Sequence, residues 1–383
     1  MKSGAGIYIG WVGNANLGDE TLWQVCRSTF PNLNWTLWHE LSYEYSAKRY
    51  LNNIRQEKHY VRKALMEELR TRHRLRTFAH KLEHRWTSRG GGESGLLGGG
   101  TLINRDDTWL DAYKAVRTQT GRPVALFGTG VVNPSLWTSE PGWVDTRKKW
   151  VALLDELPVV GVRGPLSKAL LEEAGAKGVT VSGDPVVALH SPLPPNGPPA
   201  QPRGPLKLGM NCGYSGRMWG KASRVLEIQA QVVRELQQRK YEIELFAVIP
   251  EETQHCLEVA RQSGLDIDRV KTLSSPEAFL ARAKGYDLVV AFKLHAGGLA
   301  GAANIPFIML EYQPKCLDFA LSLGWEHFTI RTSELTFGTL LDRIDEMAGQ
   351  LPELRLELCK RMCNLAAQFQ AYCRTIELLL RAA

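Results

Sequence analysis

Tyr286-Asp-Leu-Val-Val-Ala-Phe-Lys293-Leu294-His295-Ala296 reads as a buried strand that ends in two cationic side chains. Residues two apart on a strand share a face, so Lys293 and His295 are expected to point the same way, with Leu294 turned into the core. Ala296-Gly-Gly-Leu-Ala-Gly-Ala-Ala303 follows as a helix start whose small residues allow close backbone approach. The free N–H groups of a helix N-terminus favour anions. Strand, cations and helix start together point to a site for an anionic substrate, although a strand that merely ends in Lys and His reads equally well.

The same rhythm runs along the whole chain. In the first half, short apolar runs at 6–12, 34–38, 94–97, 124–127, 159–162 and 179–182 alternate with helical patterns. This is the pattern of a parallel α/β sheet. Seven of the nineteen prolines fall between Pro192 and Pro205, which marks a linker. The second half resumes with strands at 206–210, 242–249 and 307–311, helices at 223–239, 252–263 and 276–284, and two helices after about Ser333. The expected architecture is therefore α/β with two Rossmann-like domains, 1–190 and 206–383, joined by 191–205 and facing a cleft. Ligands of such sheets sit at the carboxyl ends of strands.

Composition sets the limits. A chain of 383 residues exceeds one ordinary core. It is 44% hydrophobic and 23% charged, an ordinary globular mixture. No apolar run reaches the roughly 20 residues of a membrane helix, and the short apolar start running into Gly13 reads as a strand, not a leader. The seven scattered cysteines lack a metal-ligand spacing, with Cys359 and Cys363 standing alone one helical turn apart. Reduced thiols, a cytoplasmic setting and no metal site are expected. The net charge is +7, yet residues 48–89 hold thirteen Lys/Arg against four Glu, so this block carries +9 and the rest −2. The block has helical periodicity. It fits a solvated basic helix or one lying on an anionic membrane surface; it lacks the interleaved aromatics of a nucleic-acid binder.

Five turns follow strands and could line the cleft. Gly13-Asn14-Ala-Asn16-Leu-Gly18-Asp19-Glu20 offers Asn14, Asn16 and Asp19, or is a tight turn in which Asp19 caps the helix. Gly98-Gly99-Gly100 is neither a Walker A loop nor a Gly-x-Gly-x-x-Gly turn; it gives a ligand room or packs a helix closely. Arg163 suits bidentate anion binding or a surface salt bridge. Gly183-Asp184-Pro185 ends a strand, and Glu311-Tyr312-Gln-Pro-Lys315 brings another cation.

In order and spacing these motifs resemble the polysaccharide pyruvyl transferase family. The match runs from Gly13–Glu20 through Gly98–Leu102, Gly128-Thr-Gly130, Val162-Arg163 with Ser167, Asp184-Pro185, Lys293–Ala296 and Ile305-Pro306 to Tyr312 with Lys315. The resemblance implies a fold like that of the two-Rossmann-domain (GT-B) glycosyltransferases. It also implies transfer of pyruvate from phosphoenolpyruvate to two hydroxyls of a sugar in a cell-surface polysaccharide or its lipid-linked precursor, as a cyclic ketal. Phosphoenolpyruvate would be held by Arg163, Lys293, the Leu294 backbone, His295 and Lys315. Asn14, Asn16, Asp19, Gly99, Gly100 and Asp184 would line the acceptor side. Lys293 stands where the family more often has Arg, which keeps the charge and loses the planar fork.

The chemistry fits those residue types. The substrate's phosphate carries roughly −1.5 to −2 near neutral pH. Each cation–anion pair at ~4 Å is worth about 4 kcal/mol before desolvation at an effective dielectric near 20. Several cations are thus expected, with His295 as the acid that protonates the methylene carbon and Asp19 or Asp184 as candidate bases. No cofactor, metal or nucleic acid is expected, and the enzyme would be cytoplasmic, with possible docking at the inner membrane face. The competing readings are a glycosyltransferase using a nucleotide sugar, with Glu311 as the ribose ligand, and a non-enzymatic anion- or nucleic-acid-binding protein.

Overall fold

The computed structural model describes residues 4–13, 15–38, 93–104, 107–136, 143–194, 202, 204–213 and 215–381. The basic block 48–89, Asn14 and much of the 191–205 linker lie outside the described residues.

The first half builds two parallel four-stranded sheets. One has the order β2-β1-β3-β5, from β1 (Gly4–Ile9), β2 (Leu33–Leu37), β3 (Ser94–Leu97) and β5 (Val124–Leu126). The other has the order β4-β6-β7-β8, from β4 (Gly100–Ile103), β6 (Thr129–Val131), β7 (Val160–Val162) and β8 (Val179–Val181). The two are linked directly: β3 runs into β4 across Gly98-Gly99, and β5 into β6 across Phe127-Gly128. The sequence reading took 98–101 and 128–130 as turns; they are kinks from one strand to the next. Glycine makes the kinks possible. Gly100 has φ +111° and Gly128 has φ +67°, both left-handed. A Cβ on Gly128 would also lie 2.2 Å from Pro185 Cδ.

Helices α1 (Leu17–Thr29), α2 (Asp107–Thr120), α3 (Trp143–Leu154) and α4 (Pro165–Glu173) cover these sheets. A 3₁₀ turn, Pro185–Leu189, closes the half. Asn16, not Asp19, is the N-cap of α1, its side chain accepting from Gly18 N at 3.1 Å. Asp19 lies inside the first turn, where a carboxylate meets the positive end of the helix dipole.

The second half is one parallel six-stranded sheet of order β11-β10-β9-β12-β13-β14. Its strands are β9 (Lys207–Asn211), β10 (Glu242–Ala247), β11 (Val270–Thr272), β12 (Leu288–Ala291), β13 (Phe307–Glu311) and β14 (Thr329–Arg331). Numbered from β9 this is 3-2-1-4-5-6, the Rossmann order, whose ligand crevice opens where the order reverses, between β9 and β12. Both strands are buried along almost their whole length, as expected when helices cover both faces. The covering helices are α5 (Ala222–Gln238), α6 (Thr253–Ser263), α7 (Pro276–Ala283), α8 (Leu294–Ala302), α9 (Pro314–Leu323) and α10 (Phe337–Gly349).

The last helix, α11 (Leu351–Arg381), returns to the first half. Tyr372 Oη donates to Leu126 O at 2.9 Å and accepts from Gly161 N at 3.1 Å, and Ser94 Oγ donates to Leu380 O at 3.2 Å. One apolar core runs through both halves, joining Tyr8, Leu17 and Val186 to the second sheet. A second core lies within the first half around Tyr113, Trp150 and Val162. No described helix is long and apolar enough to cross a membrane.

Candidate active site

The opening stretch folds differently from its sequence reading. β12 ends at Ala291, Lys293 is the N-cap of α8, and His295 sits in the first turn. Helix residues two apart are about 200° apart around the axis, so the two side chains diverge. The helix can begin this early because α8 is apolar and almost wholly buried, and packing stabilises it despite its glycines. Leu294 is buried, as expected. Asn211, at the end of β9, accepts from Lys293 N at 2.8 Å and so fixes the start of α8 at the reversal of strand order.

His295 faces the first half. Its Nε2 lies 3.6 Å from Asp184 Oδ2, an ion-pair contact longer than a hydrogen bond. Its ring rests on α1 so closely that a Cβ on Gly18 would lie 1.9 Å from Nδ1. Asp184 is wholly buried, and its Oδ1 accepts from Val186 N at 3.0 Å, capping the 3₁₀ turn. Burial pushes the Asp184 carboxyl up, but Arg163 and His295 outweigh it and hold the group below its ordinary value.

Arg163 is 1% exposed, so it makes no surface salt bridge. Its Nε lies 2.8 Å from Asp184 Oδ2, and its Nη2 donates to Gly100 O at 3.0 Å. A buried guanidinium against a carboxylate and a carbonyl sets the field of the site from beneath. Asp19 Oδ1 approaches the same place, 3.9 Å from where a Cβ on Gly100 would be.

The lysines belong to the second half. Lys293 Nζ lies 2.9 Å from Glu252 Oε1, 5.4 Å from the Phe292 ring centroid and 4.8 Å from that of Tyr312. Lys315 Nζ lies 5.0 Å from the same Tyr312 ring, a cation–π contact. Lys315 is half-buried rather than a solvated surface lysine, and no carboxylate pairs with it among the described residues. Burial lowers its pKa to about 8; Cys316 and Asp19 oppose the shift, and Lys293 and Arg163 add to it. The two lysines thus both lie against the Tyr312 ring.

One carboxylate ties these pieces together across the halves. Asp318 on α9 accepts from Leu166 N at 2.8 Å, Ser167 N at 3.2 Å and Ser167 Oγ at 2.5 Å. Gly164, the N-cap of α4, has no side chain to cap with, and Asp318 supplies the cap from the other half. Arg163 before α4 and Lys315 at the start of α9 are held in register by this contact. Sequence reasoning missed Asp318, Glu252 and Gly18 as site residues. The partners of Asp318 lie about 150 residues away, that of Glu252 lies on another strand end, and Gly18 acts through absence of a side chain. None leaves a local signal.

Arg163, Asp184 and His295 thus form one contact set and Lys293, Lys315 and Tyr312 another, and the charges of Arg163 and Asp19 act on Lys315 from the first half. Asn16 is half-buried as the α1 cap, and Gly99 is buried against Leu22, where a Cβ would lie 2.4 Å from Cδ1. Glu311 is taken up by Trp219 Nε1 at 3.1 Å and Arg331 Nε at 3.2 Å. It is thus already partnered. A cavity of about 330 Å³ is lined by Leu136 from the first half and by Ser215, Gly216, Arg217 and Met218 from the second. Trp219 N donates to Tyr312 O at 2.9 Å and so anchors the loop that lines it.

Comparison with solved structures gives the fold. The chain resembles a UDP-GlcNAc 2-epimerase from Neisseria meningitidis bound to UDP-GlcNAc, with a TM-score of 0.53, 10% identity and 99% of each chain covered. It resembles Anabaena Alr3699/HepE in complex with UDP and glucose, at 0.52 and 12%, covering 97% of this chain and 99% of that one. The S. aureus MnaA–UDP structure follows at 0.50 and 14%, covering 92% and 91%. These likenesses establish a two-domain GT-B-like fold and, at such identity, nothing about substrate. No curated protein matches the chain. The family model for polysaccharide pyruvyl transferase matches residues 16–314, which span the two halves from the α1 cap to the start of α9. The chain belongs to the polysaccharide pyruvyl transferase family.

Proposed function

We propose that this transferase takes pyruvate from phosphoenolpyruvate and joins it to two hydroxyls of a sugar as a ketal, releasing phosphate. One observation carries the reading: Lys293 and Lys315 converge on Tyr312 at the start of α8, a helix whose N-cap makes no side-chain cap bond. Such a helix end favours an anion, and a lysine depressed to about 8 is stabilised by one.

The steps assign roles as follows. The substrate's anionic groups bind Lys293, Lys315 and the first N–H groups of α8, including that of Leu294. Arg163 contributes its field from beneath. His295 gives a proton to the methylene carbon, making the adjacent carbon electrophilic, and Asp184 holds the imidazolium in place. A sugar hydroxyl attacks that carbon, phosphate departs, and the second hydroxyl closes the ring. Of the two hydroxyl protons, one balances the proton given to carbon and one leaves with phosphate. Asp184, tied to Arg163, is an orienting group, which leaves Asp19 or the departing phosphate to accept hydroxyl protons. We assign the acceptor sugar to the cavity between Leu136 and the 215–218 loop, whose size falls at the small end for a ligand site.

The test is incubation with phosphoenolpyruvate and candidate glycan acceptors, including lipid-linked ones. The reading requires acceptor-dependent phosphate release and the pyruvate-ketal mass increment in the product. Thermal stabilisation by a nucleoside diphosphate, with none by phosphoenolpyruvate, would overturn it in favour of glycosyl transfer. Docking at an anionic membrane through residues 48–89 is a separate reading, which liposome flotation without preference for anionic lipid would refute.

A further inference from the structure

A second cluster of reactive side chains lies away from the site described above. His190 is the C-cap of the 3₁₀ turn that begins after Asp184. Its Nε2 lies 3.4 Å from Cys363 Sγ and 3.9 Å from Cys359 Sγ, two thiols one turn apart on α11. The three atoms all lie within 4.8 Å of one another, and the residues are half-buried. Folding thus brings two of the scattered cysteines and a histidine to within ligand distance of one another, a grouping the sequence spacing does not show.

We propose that His190, Cys359 and Cys363 form a zinc site that fastens the last helix to the segment between the two halves. The distances fit the chemistry. Tetrahedral zinc with Zn–S of ~2.3 Å and Zn–N of ~2.05 Å separates a sulfur and a nitrogen ligand by about 3.6 Å. The two S···N distances bracket that value. Two thiolates and an imidazole are a donor set that selects a soft or borderline ion over magnesium or calcium.

The surroundings are also those of a ligand set. His190 Nδ1 lies 3.3 Å from Ala302 O, so an N–H there directs the lone pair of Nε2 towards the sulfurs. Leu193 N donates to Cys359 Sγ at 3.4 Å and fixes the position of that sulfur. Binding would release the two thiol protons and leave the fourth tetrahedral position to solvent.

The placement gives the site a function. The 3₁₀ turn runs from Asp184 to His190, and α8 runs from the turn carrying His295 to Ala302. The metal would sit at the far ends of both elements, one α8 length or roughly 13 Å from His295. It would hold in place the two elements that bring Asp184 and His295 together, without touching substrate.

The test uses the full-length protein, reduced and free of added metal, titrated with Co²⁺ under anaerobic conditions. We expect one Co²⁺ per chain, a thiolate-to-cobalt charge-transfer band, and visible bands of tetrahedral intensity that one equivalent of Zn²⁺ abolishes. Cys359→Ser/Cys363→Ser should lose the charge-transfer band, and Zn²⁺ should raise the melting temperature of the parent chain only. The titration of the unaltered protein decides the matter even if the variant does not fold. Absence of the band at stoichiometric metal, or its persistence in the folded double variant, would overturn the proposal. So would a Cys359–Cys363 disulfide in place of bound metal in protein isolated under reducing conditions.

Discussion

Asp184 Oδ2 lies 3.6 Å from His295 Nε2, and that contact joins a strand end of the first half to a helix start of the second. Asp184 reaches it from a wholly buried position, already 2.8 Å from Arg163 Nε. A carboxylate shared by a buried guanidinium and a partly open imidazole makes the position of His295 depend on a structural ion pair.

Asp184→Asn should therefore cost stability as well as activity. It leaves Arg163 buried without its counter-charge, a loss on the order of 3–5 kcal/mol. The pH dependence follows from the lowered carboxyl pKa. The stabilisation is complete above the unfolded carboxylate range and is lost as pH falls through the folded value. Urea midpoints at neutral and acidic pH check this; a variant as stable as the parent at neutral pH would contradict it.

If His295 supplies the proton to carbon, His295→Ala should lower turnover by ~10²–10⁴-fold. Unchanged phosphate release would remove His295 from the acid's role.

Gly18→Ala tests the same geometry without altering a functional group. The new Cβ would meet His295 Nδ1 at 1.9 Å, so the ring must leave Asp184. A displacement of about 1 Å can cost about 100-fold in rate. Alanine also favours the helix by about 1 kcal/mol over glycine, which offsets part of the clash. A kcat loss with a melting temperature near the parent's is expected; full activity would show that the ring position is unimportant.

If phosphoenolpyruvate binds at Lys315, its affinity should depend on pH. The lysine's pKa of about 8 in the free protein should rise when the anion binds. Affinity is then full below pH 8 and weakens as pH rises through that value. Calorimetry near pH 8 in buffers of different ionisation heat should show proton uptake, and Lys315→Met should abolish it. Binding without uptake would assign the anion elsewhere.

Tyr372→Phe probes the return of α11. It leaves Gly161 N and Leu126 O, both partnered by the Tyr372 hydroxyl, without their bonds. A buried polar group left unsatisfied costs ~1–3 kcal/mol, and chemical denaturation should show a loss of at least that size. A neutral effect would mean that solvent reaches both groups.

The alternation of apolar runs and helical patterns was sufficient to specify two parallel α/β halves, because side-chain periodicity is local and burial follows it. The strand at 307–311 and the helices near 223, 253 and 276 stand where their patterns place them. The cations Arg163, Lys293, His295 and Lys315 were likewise legible, since each follows a strand. Local pattern could not settle where a strand yields to a helix: Lys293 and His295 diverge because buried packing starts α8 early. Nor could it show the partners. Asp184 with Arg163 and His295, Asp318 capping α4, and His190 with Cys359 and Cys363 join residues up to 173 positions apart. Such pairs arise only when two halves and a returning helix close on one another. The sequence determined which chemistry the chain carries; the tertiary structure decided which groups meet, because charge and coordination act over a few ångströms of space and not along the chain.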